Sequence, residues 1–126
     1  MNESTAVLLI AHGSRNPEAN ADTLFLAEEL RTLGRFVCVA AAFLEQAEPG
    51  IDAAADRCVA SGARRVVLLP HFLSAGVHVR RDLVSAQKRL ADRHAEIEFA
   101  LADPIGQHPL LPEIMRQRIQ EAKKKE

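Results

Sequence analysis

The chain of 126 residues has no tryptophan and no tyrosine, and it contains only five phenylalanines. Few aromatic rings are therefore available to stack on bases, as proteins that bind single-stranded nucleic acid require. The formal charge of −1, from 16 basic and 17 acidic side chains, argues against a protein held on a phosphate backbone by bulk charge. We expect no nucleic-acid partner and a small-molecule partner instead.

Long apolar runs are absent as well. No stretch approaches the ~20 residues that cross a bilayer, so we expect no membrane partner. The first residues lack the basic n-region of a signal peptide, and the apolar run 6–11 is too short for an h-region. The sequence predicts a cytoplasmic protein.

Cysteine is scarce, with two residues in the whole chain. Cys38 lies in an apolar run, and Cys58 lies on the apolar side of a predicted helix. We expect two separate buried thiols that behave as small hydrophobic side chains. A disulfide or a metal site built on them is the alternative.

Short apolar runs alternate with segments in which apolar residues recur every three or four positions. The runs predict parallel strands covered on both faces, at residues 6–11, 36–43, 65–69 and 97–101. The first helical segment has Asn16 as its N-cap and a stripe of Leu24, Ala27, Leu30 and Leu33. Similar stripes follow the other three runs, and the last one consists of Leu111, Ile114, Met115, Ile119 and Ala122.

Four strand–helix units predict a flavodoxin-like, doubly wound, four-stranded parallel sheet with helices on both faces. At this length we expect a single domain over residues 1–126. The tail from about 121 to 126 ends in three lysines and a glutamate, and we expect it to be frayed and solvated, with a basic binding tail as the alternative.

Chemistry in such a sheet is expected beyond the carboxyl ends of the strands, where ligands of this architecture bind. The loops at these ends carry His12, Glu45, His71, His78, Asp103 and His108. Two imidazoles and one carboxylate from adjacent loops can hold a divalent metal, and an imidazole also accepts a proton near neutral pH. The pattern therefore indicates a metal or acid–base site.

Simpler roles stay open for the same residues. His12, His71 and His78 could be structural, and Glu45 could be a solvated loop carboxylate. Gly13 could serve only as a turn residue, Ser14 as a helix cap and Arg15 as a solvated charge. Asp103 before a proline is typical of a turn. We interpret His94 as a surface residue and assign no function to His108.

Several catalytic and nucleotide-binding motifs are missing. The sequence has neither G-x-G-x-x-G nor G-x-x-x-x-G-K-[ST], so it lacks the loops that hold nucleotide phosphates. It also lacks the G-x-S-x-G elbow of α/β-hydrolases. We expect no nucleotide cofactor.

Four segments, taken together and in order, resemble the short CbiX and SirB family of sirohydrochlorin chelatases. They are LLIAHGSR (8–15), FLEQAEP (43–49), VVLLPHFLSAGVHVRRD (66–82) and DPIGQHPLL (103–111). The resemblance covers nearly the whole chain. It implies insertion of a divalent metal into the tetrapyrrole sirohydrochlorin, or a related one, without nucleotide hydrolysis. It also implies a homodimer, because the short members look like half of a longer two-lobed enzyme.

The resemblance also implies roles for particular residues. The metal-binding and catalytic positions of the family fall on His12, Glu45 and His78. Expected substrate-binding residues are Gly13, Ser14, Arg15, His71, Gly76, Arg80 and Arg81, of which the three arginines are counter-charges for a polycarboxylate. The position of His71 varies within the family, so its participation stays open.

The metal and the activity itself have alternatives. We favour Co²⁺ as the metal substrate, with Fe²⁺ or Ni²⁺ as alternatives that the same ligands accept. The rival functions are a metal or tetrapyrrole carrier that does not catalyse insertion, and a structural or regulatory flavodoxin-like module.

Overall fold

The structure is a computed structural model that describes residues 4–122. Strands and helices alternate along the chain as predicted. In order they are β1 (Thr5–Ala11), α1 (Pro17–Leu33), β2 (Cys38–Phe43), α2 (Ile51–Ala60), β3 (Arg65–Pro70), α3 (Val77–Arg93), β4 (Glu98–Leu101) and α4 (Leu111–Ala122). The strands begin and end within two residues of the predicted positions.

All four strands are parallel and form one sheet in the order β2-β1-β3-β4. Ala6 of β1 lies opposite Cys38 on one side and Val66 on the other. Every residue of β1 is buried, as expected for the central strand of a covered sheet. The predicted doubly wound parallel sheet is confirmed.

Helices cover both faces of the sheet, as predicted. Leu8 and Ile10 of β1 pack in one cluster with α2 and α3, whereas Val7 and Leu9 pack in another with Ala27 of α1. This division follows from the alternation of side chains along a strand. The loop after β1 therefore leads to α1 on one face, and the loop after β3 leads to α3 on the other, which places the topological switch point of the sheet between these two strands.

The start of α1 is as predicted, and the helix buries only part of its apolar stripe. The side chain of Asn16 accepts a hydrogen bond from the backbone N–H of Glu18 at 3.0 Å, so it is the N-cap. The helix buries Thr23 and Ala27, whereas Leu24 is 51% and Leu33 is 79% exposed. Because α1 contacts the sheet chiefly along β2, only a narrow stripe of small residues is covered.

The last helix leaves its apolar stripe exposed. No residue of α4 is buried, and Ile114, Met115 and Ile119 are each at least half exposed. The predicted helix is therefore confirmed, but its apolar stripe is not covered within the described part of the chain. α4 extends to Ala122, and residues 123–126 lie outside the described part, so the frayed tail stays a prediction.

The two cysteines are not separate. Cys58 is fully buried in the last turn of α2, which packs on β2, and its Sγ lies 3.4 Å from the Sγ of the half-buried Cys38. Both thiols are free. Burial, together with the hydrogen bond to Cys38, raises the pKa of the Cys58 thiol to about 12.

The interpretation of His94 as a surface residue is also wrong. Its side chain is only 18% exposed, its Nε2 lies 3.0 Å from Oδ1 of Asp56, and its ring packs near Phe99. His94 thus joins the end of α3 to α2. No helix within residues 4–122 combines the length and the apolar character that crossing a bilayer requires.

Candidate active site

His12 and Glu45 come together at the carboxyl ends of β1 and β2. The hydrogen bonding between these strands continues beyond their ends, since Glu45 N–H donates to the carbonyl of His12 at 3.0 Å. The side chains meet with Nε2 of His12 2.8 Å from Oε2 of Glu45. Both are more than half exposed, so a ligand could reach them from solvent. Two of the three predicted metal-binding residues are thus neighbours.

Gly13 allows the two loops to approach so closely. Its φ of 99° is in the region that side chains disfavour, and a Cβ at this position would lie 1.8 Å from the carbonyl oxygen of Glu45. Gly13 is therefore more than an interchangeable turn residue. It allows the backbone of the His12 loop to pass directly against the residue that carries the partner carboxylate.

Ser14 anchors the same loop to α1. Its backbone N–H donates to Oδ1 of Asn20 at 3.0 Å, and Nδ2 of Asn20 donates back to the Ser14 carbonyl at 2.8 Å. The Ser14 hydroxyl accepts from the N–H of Asn16, which closes a local turn just before the N-cap of α1. Sequence reasoning missed Asn20; its only signal was a poor helix-forming residue within the first turns of α1.

A cleft of about 570 Å³ opens beside the pair, between α2 and α3. We call it the His12 cleft. Its lining includes His12, Glu45, Glu48, Asp52, Asp82, Ser85 and Arg89. Arg89 forms an ion pair with Asp52 at 3.0 Å across the two helices. Sequence reasoning missed the last five residues because only strand-end histidines and acids were considered, whereas most of these lie within helices.

His78 lies in the first turn of α3 and is exposed. It precedes Asp82, Ser85 and Arg89 by four, seven and eleven residues, so it shares their face of the helix. Those three residues line the His12 cleft. Within residues 4–122, however, no group of three His, Cys, Asp or Glu side chains is placed to hold a metal ion. The role of His78 as the third ligand stays a prediction.

A second cleft, of about 620 Å³, lies on the opposite side of α3. We call it the Arg80 cleft. Arg80, Leu83 and Val84 of α3 face the loop that carries Asp103 and His108. This loop is held close to the one after β3, because Gly106 N–H donates to the Phe72 carbonyl at 2.9 Å. The cleft combines an apolar wall with an arginine at its edge.

The remaining predicted substrate-binding residues are distributed around these clefts. His71 extends the β3 ladder by donating its N–H to the Ile10 carbonyl at 2.7 Å, and Gly76 is the N-cap of α3. Neither lines the two clefts. Arg15, Arg80 and Arg81 are exposed and have no ion-pair partner in the described part of the chain, so their guanidinium groups are available to a ligand.

Comparisons with known proteins agree with the fold described above. The CbiX family model matches residues 6–122. This chain belongs to the CbiX family. Among solved structures, a CbiX protein assigned to cobalamin biosynthesis in Marinobacter aquaeolei VT8 is 30% identical, with a TM-score of 0.84 over 97% of this chain and 99% of that one. Sirohydrochlorin chelatase SirB from Bacillus subtilis, in complex with cobalt, is 26% identical with a TM-score of 0.83, over 94% of this chain and 50% of that one.

Curated relatives of this CbiX-family chain differ in length and in metal. A sirohydrochlorin cobaltochelatase from Priestia megaterium is 36% identical over 94% of this chain and 39% of the relative. A chloroplastic sirohydrochlorin ferrochelatase from Arabidopsis thaliana is 32% identical over 94% of this chain and 52% of the relative. The chain thus spans about half or less of these two relatives. A sirohydrochlorin cobaltochelatase from Methanopyrus kandleri is 31% identical over 93% of this chain and 96% of its own length.

Proposed function

We propose that this chain is a sirohydrochlorin chelatase that inserts a divalent metal into the tetrapyrrole without using a nucleotide. The observation that carries the proposal is the His12–Glu45 pair, 2.8 Å apart at the carboxyl edge of the sheet in a CbiX-family fold. An imidazole beside a carboxylate can bind a borderline divalent cation and leave other coordination positions to water or to the macrocycle.

Metal insertion replaces two pyrrole N–H bonds with metal–nitrogen bonds and releases two protons. In the proposed mechanism His12 presents the metal to one face of the ring, with Glu45 balancing the charge. Once the metal has moved to the ring nitrogens, the freed imidazole lone pair accepts a proton, and the adjacent carboxylate stabilises the imidazolium. His78, on the face of α3 that lines the His12 cleft, serves as the second imidazole.

The arginines account for recognition of a polycarboxylate. Arg15 follows His12 on the same loop, whereas Arg80 stands at the second cleft and Arg81 on the same turn of α3. Since none of these guanidinium groups has an ion-pair partner within residues 4–122, each can pair with a peripheral carboxylate of the substrate. The apolar wall that includes Leu83 and Val84 suits the edge of a macrocycle.

Cobalt is the metal that we expect, because the relatives from Priestia megaterium and Methanopyrus kandleri are cobaltochelatases. The Arabidopsis relative is a ferrochelatase, which keeps Fe²⁺ as the principal alternative, and the ligand set also accepts Ni²⁺. Insertion rates measured with each ion at the same free concentration decide among them. A cytoplasmic location stays a prediction.

We further propose that two copies of the chain form a homodimer. The chain matches only half of the SirB chain, so a second copy would supply the second lobe of that longer enzyme. The exposed stripe of Ile114, Met115 and Ile119 on α4 supports such a contact, because apolar side chains in a continuous patch are typical of an interface.

The decisive experiment follows the absorption change of sirohydrochlorin with Co²⁺, with and without protein. We expect the wild type to insert cobalt faster than the spontaneous rate. The insertion rate should fall by about 10²- to 10⁴-fold in His12→Ala and by about 10- to 100-fold in Glu45→Gln. His94→Ala is the matched control, because His94 pairs with Asp56 away from the His12 cleft. Tight binding of metal or macrocycle with no acceleration would instead identify a carrier.

A further inference from the structure

The Cys38–Cys58 pair lies apart from both clefts. Cys38 is the first residue of β2, at the opposite end of that strand from Glu45, and Cys58 is in the last turn of α2. Because β2 has six residues, roughly 17 Å of strand separates this pair from the His12–Glu45 end of the sheet. The proposed chelatase chemistry does not use either thiol.

The two sulfurs are in direct contact. The Cys58 thiol donates to the Cys38 sulfur at 3.4 Å, in a region lined by small core residues that include Ala40, Ala54 and Ala55. A disulfide requires ~2.0 Å between the sulfurs, so only a small movement of the two side chains would bring them to bonding distance. The packing of α2 on β2 brings the two thiols together.

The thiols also differ in access. Cys38 is half-buried, whereas Cys58 is fully buried, so an oxidant in solution meets Cys38 first. Burial and the neighbouring Cys38 raise the pKa of the Cys58 thiol, and the same burial shields this thiol from reagents in solution. One accessible thiol beside one protected thiol is the arrangement that a primary and a resolving cysteine require.

We propose that Cys38 and Cys58 are a redox-modification site, at which a peroxide converts the thiol pair into a reversible intramolecular disulfide. In the first step the Cys38 sulfur attacks the peroxide, the O–O bond breaks, and Cys38 sulfenic acid and water form. In the second step the Cys58 sulfur attacks the Cys38 sulfur, the S–O bond breaks, and hydroxide leaves with the Cys58 proton as water. One hydrogen peroxide thus oxidises two thiols and yields two waters, and a dithiol reductant reverses the reaction.

The disulfide would stabilise the fold, and neither cysteine lines a cleft. It would close a loop in which the two cysteines are 20 residues apart, and this loop includes Glu45. Closing such a loop lowers the conformational entropy of the unfolded chain. We expect the melting temperature to rise by roughly 10 °C in the oxidised protein, with the rise removed by dithiothreitol.

The test treats the folded full-length protein with hydrogen peroxide and measures intact mass after the protein is unfolded and alkylated. We expect the wild type to lose two hydrogen masses and to present no thiol for alkylation until it is reduced. Cys38→Ala should stay unmodified, because the remaining thiol is fully buried, whereas Cys58→Ala should gain oxygen atoms at Cys38.

Three results would overturn the proposal: wild-type cysteines that gain oxygen atoms instead of losing hydrogens, two thiols that stay available for alkylation, or a disulfide that joins two chains on a non-reducing gel. If Cys58→Ala folds poorly, wild type and Cys38→Ala still decide the outcome. These readouts do not depend on chelatase activity, so they hold whether or not the proposed function is correct.

Discussion

At the scale of single residues, the candidate site is assembled where two backbones pass within contact distance. Glu45 donates its N–H to the His12 carbonyl, and the next residue, Gly13, adopts a φ of 99° directly beside the Glu45 carbonyl. Any side chain at position 13 would collide with that carbonyl oxygen. The alignment of the imidazole with the carboxylate therefore depends on a residue that carries no chemistry of its own.

Replacing this glycine should disrupt both folding and activity. We expect Gly13→Ala to destabilise the protein by more than the ~1–2 kcal/mol that a left-handed backbone alone costs a residue with a Cβ. The displaced Glu45 loop should also lower the metal-insertion rate by about 10²-fold, as misplaced catalytic groups do. Urea unfolding and the cobalt-insertion assay measure the two effects.

The matched control is Gly62→Ala. Gly62 has nearly the same φ, 100°, but nothing lies within 4 Å of the Cβ that an alanine would add. Gly62→Ala should lower the free energy of unfolding only by the cost of the left-handed backbone, and its cobalt-insertion rate should be unchanged. Equal destabilisation of the two variants, with an unchanged insertion rate in Gly13→Ala, would contradict the role assigned to Gly13.

At the scale of elements, α3 separates the two clefts through its helical periodicity. Asp82, Ser85 and Arg89 line the His12 cleft, whereas Arg80 and Val84 line the Arg80 cleft. Between these two faces the helix packs on the sheet, where its buried residues are Leu83, Ala86 and Leu90. One helix thus positions residues for both clefts while it belongs to the core.

The two amphipathic helices α3 and α4 should differ sharply in what they contribute to stability. Leu90 of α3 is fully buried, whereas Ile119 of α4 is 69% exposed. We expect Leu90→Ala to lower the free energy of unfolding by about 2–5 kcal/mol, because it leaves a cavity. Ile119→Ala should change it by no more than about 0.5 kcal/mol. Urea unfolding at low protein concentration measures both, and comparable losses would show that α4 packs on the rest of the chain.

At the scale of the whole molecule, two observations support the proposed homodimer. It matches half of the SirB chain with a TM-score of 0.83, and the stripe on α4 finds no cover within the described residues. A wide, flat macrocycle bound at the edge of one small sheet would also contact protein on one side only. A second copy could cover the helix and complete the binding site.

Sedimentation velocity tests this assembly. We expect the wild type to sediment as a dimer and the double variant Ile114→Asp, Ile119→Asp to sediment as a folded monomer, because charges on the stripe oppose its burial. Leu33→Asp is the control, since Leu33 is an exposed apolar residue of α1, 79% accessible. A monomeric wild type, or dissociation by Leu33→Asp alone, would exclude the proposed interface.

The alternation of strands and helices was predictable from the sequence, because apolar periodicity is local and each element carries its own pattern. The meeting of His12 with Glu45 was predictable too, since parallel strands bring their carboxyl ends to one edge. The family resemblance rested on the same loops. These features depend on the order of residues along single segments and on one general rule of sheet topology.

Only the tertiary structure decided which apolar stripes are buried and which distant side chains meet. The exposed stripe of α4, the contact between Cys38 and Cys58, and the pairing of His94 with Asp56 all depend on how helices pack on the sheet. The positions of the helical residues in the His12 cleft, such as Asp82 and Arg89, also depend on this packing. Contacts of this kind join segments that are far apart in the chain, and local sequence patterns do not determine which distant side chains come into contact.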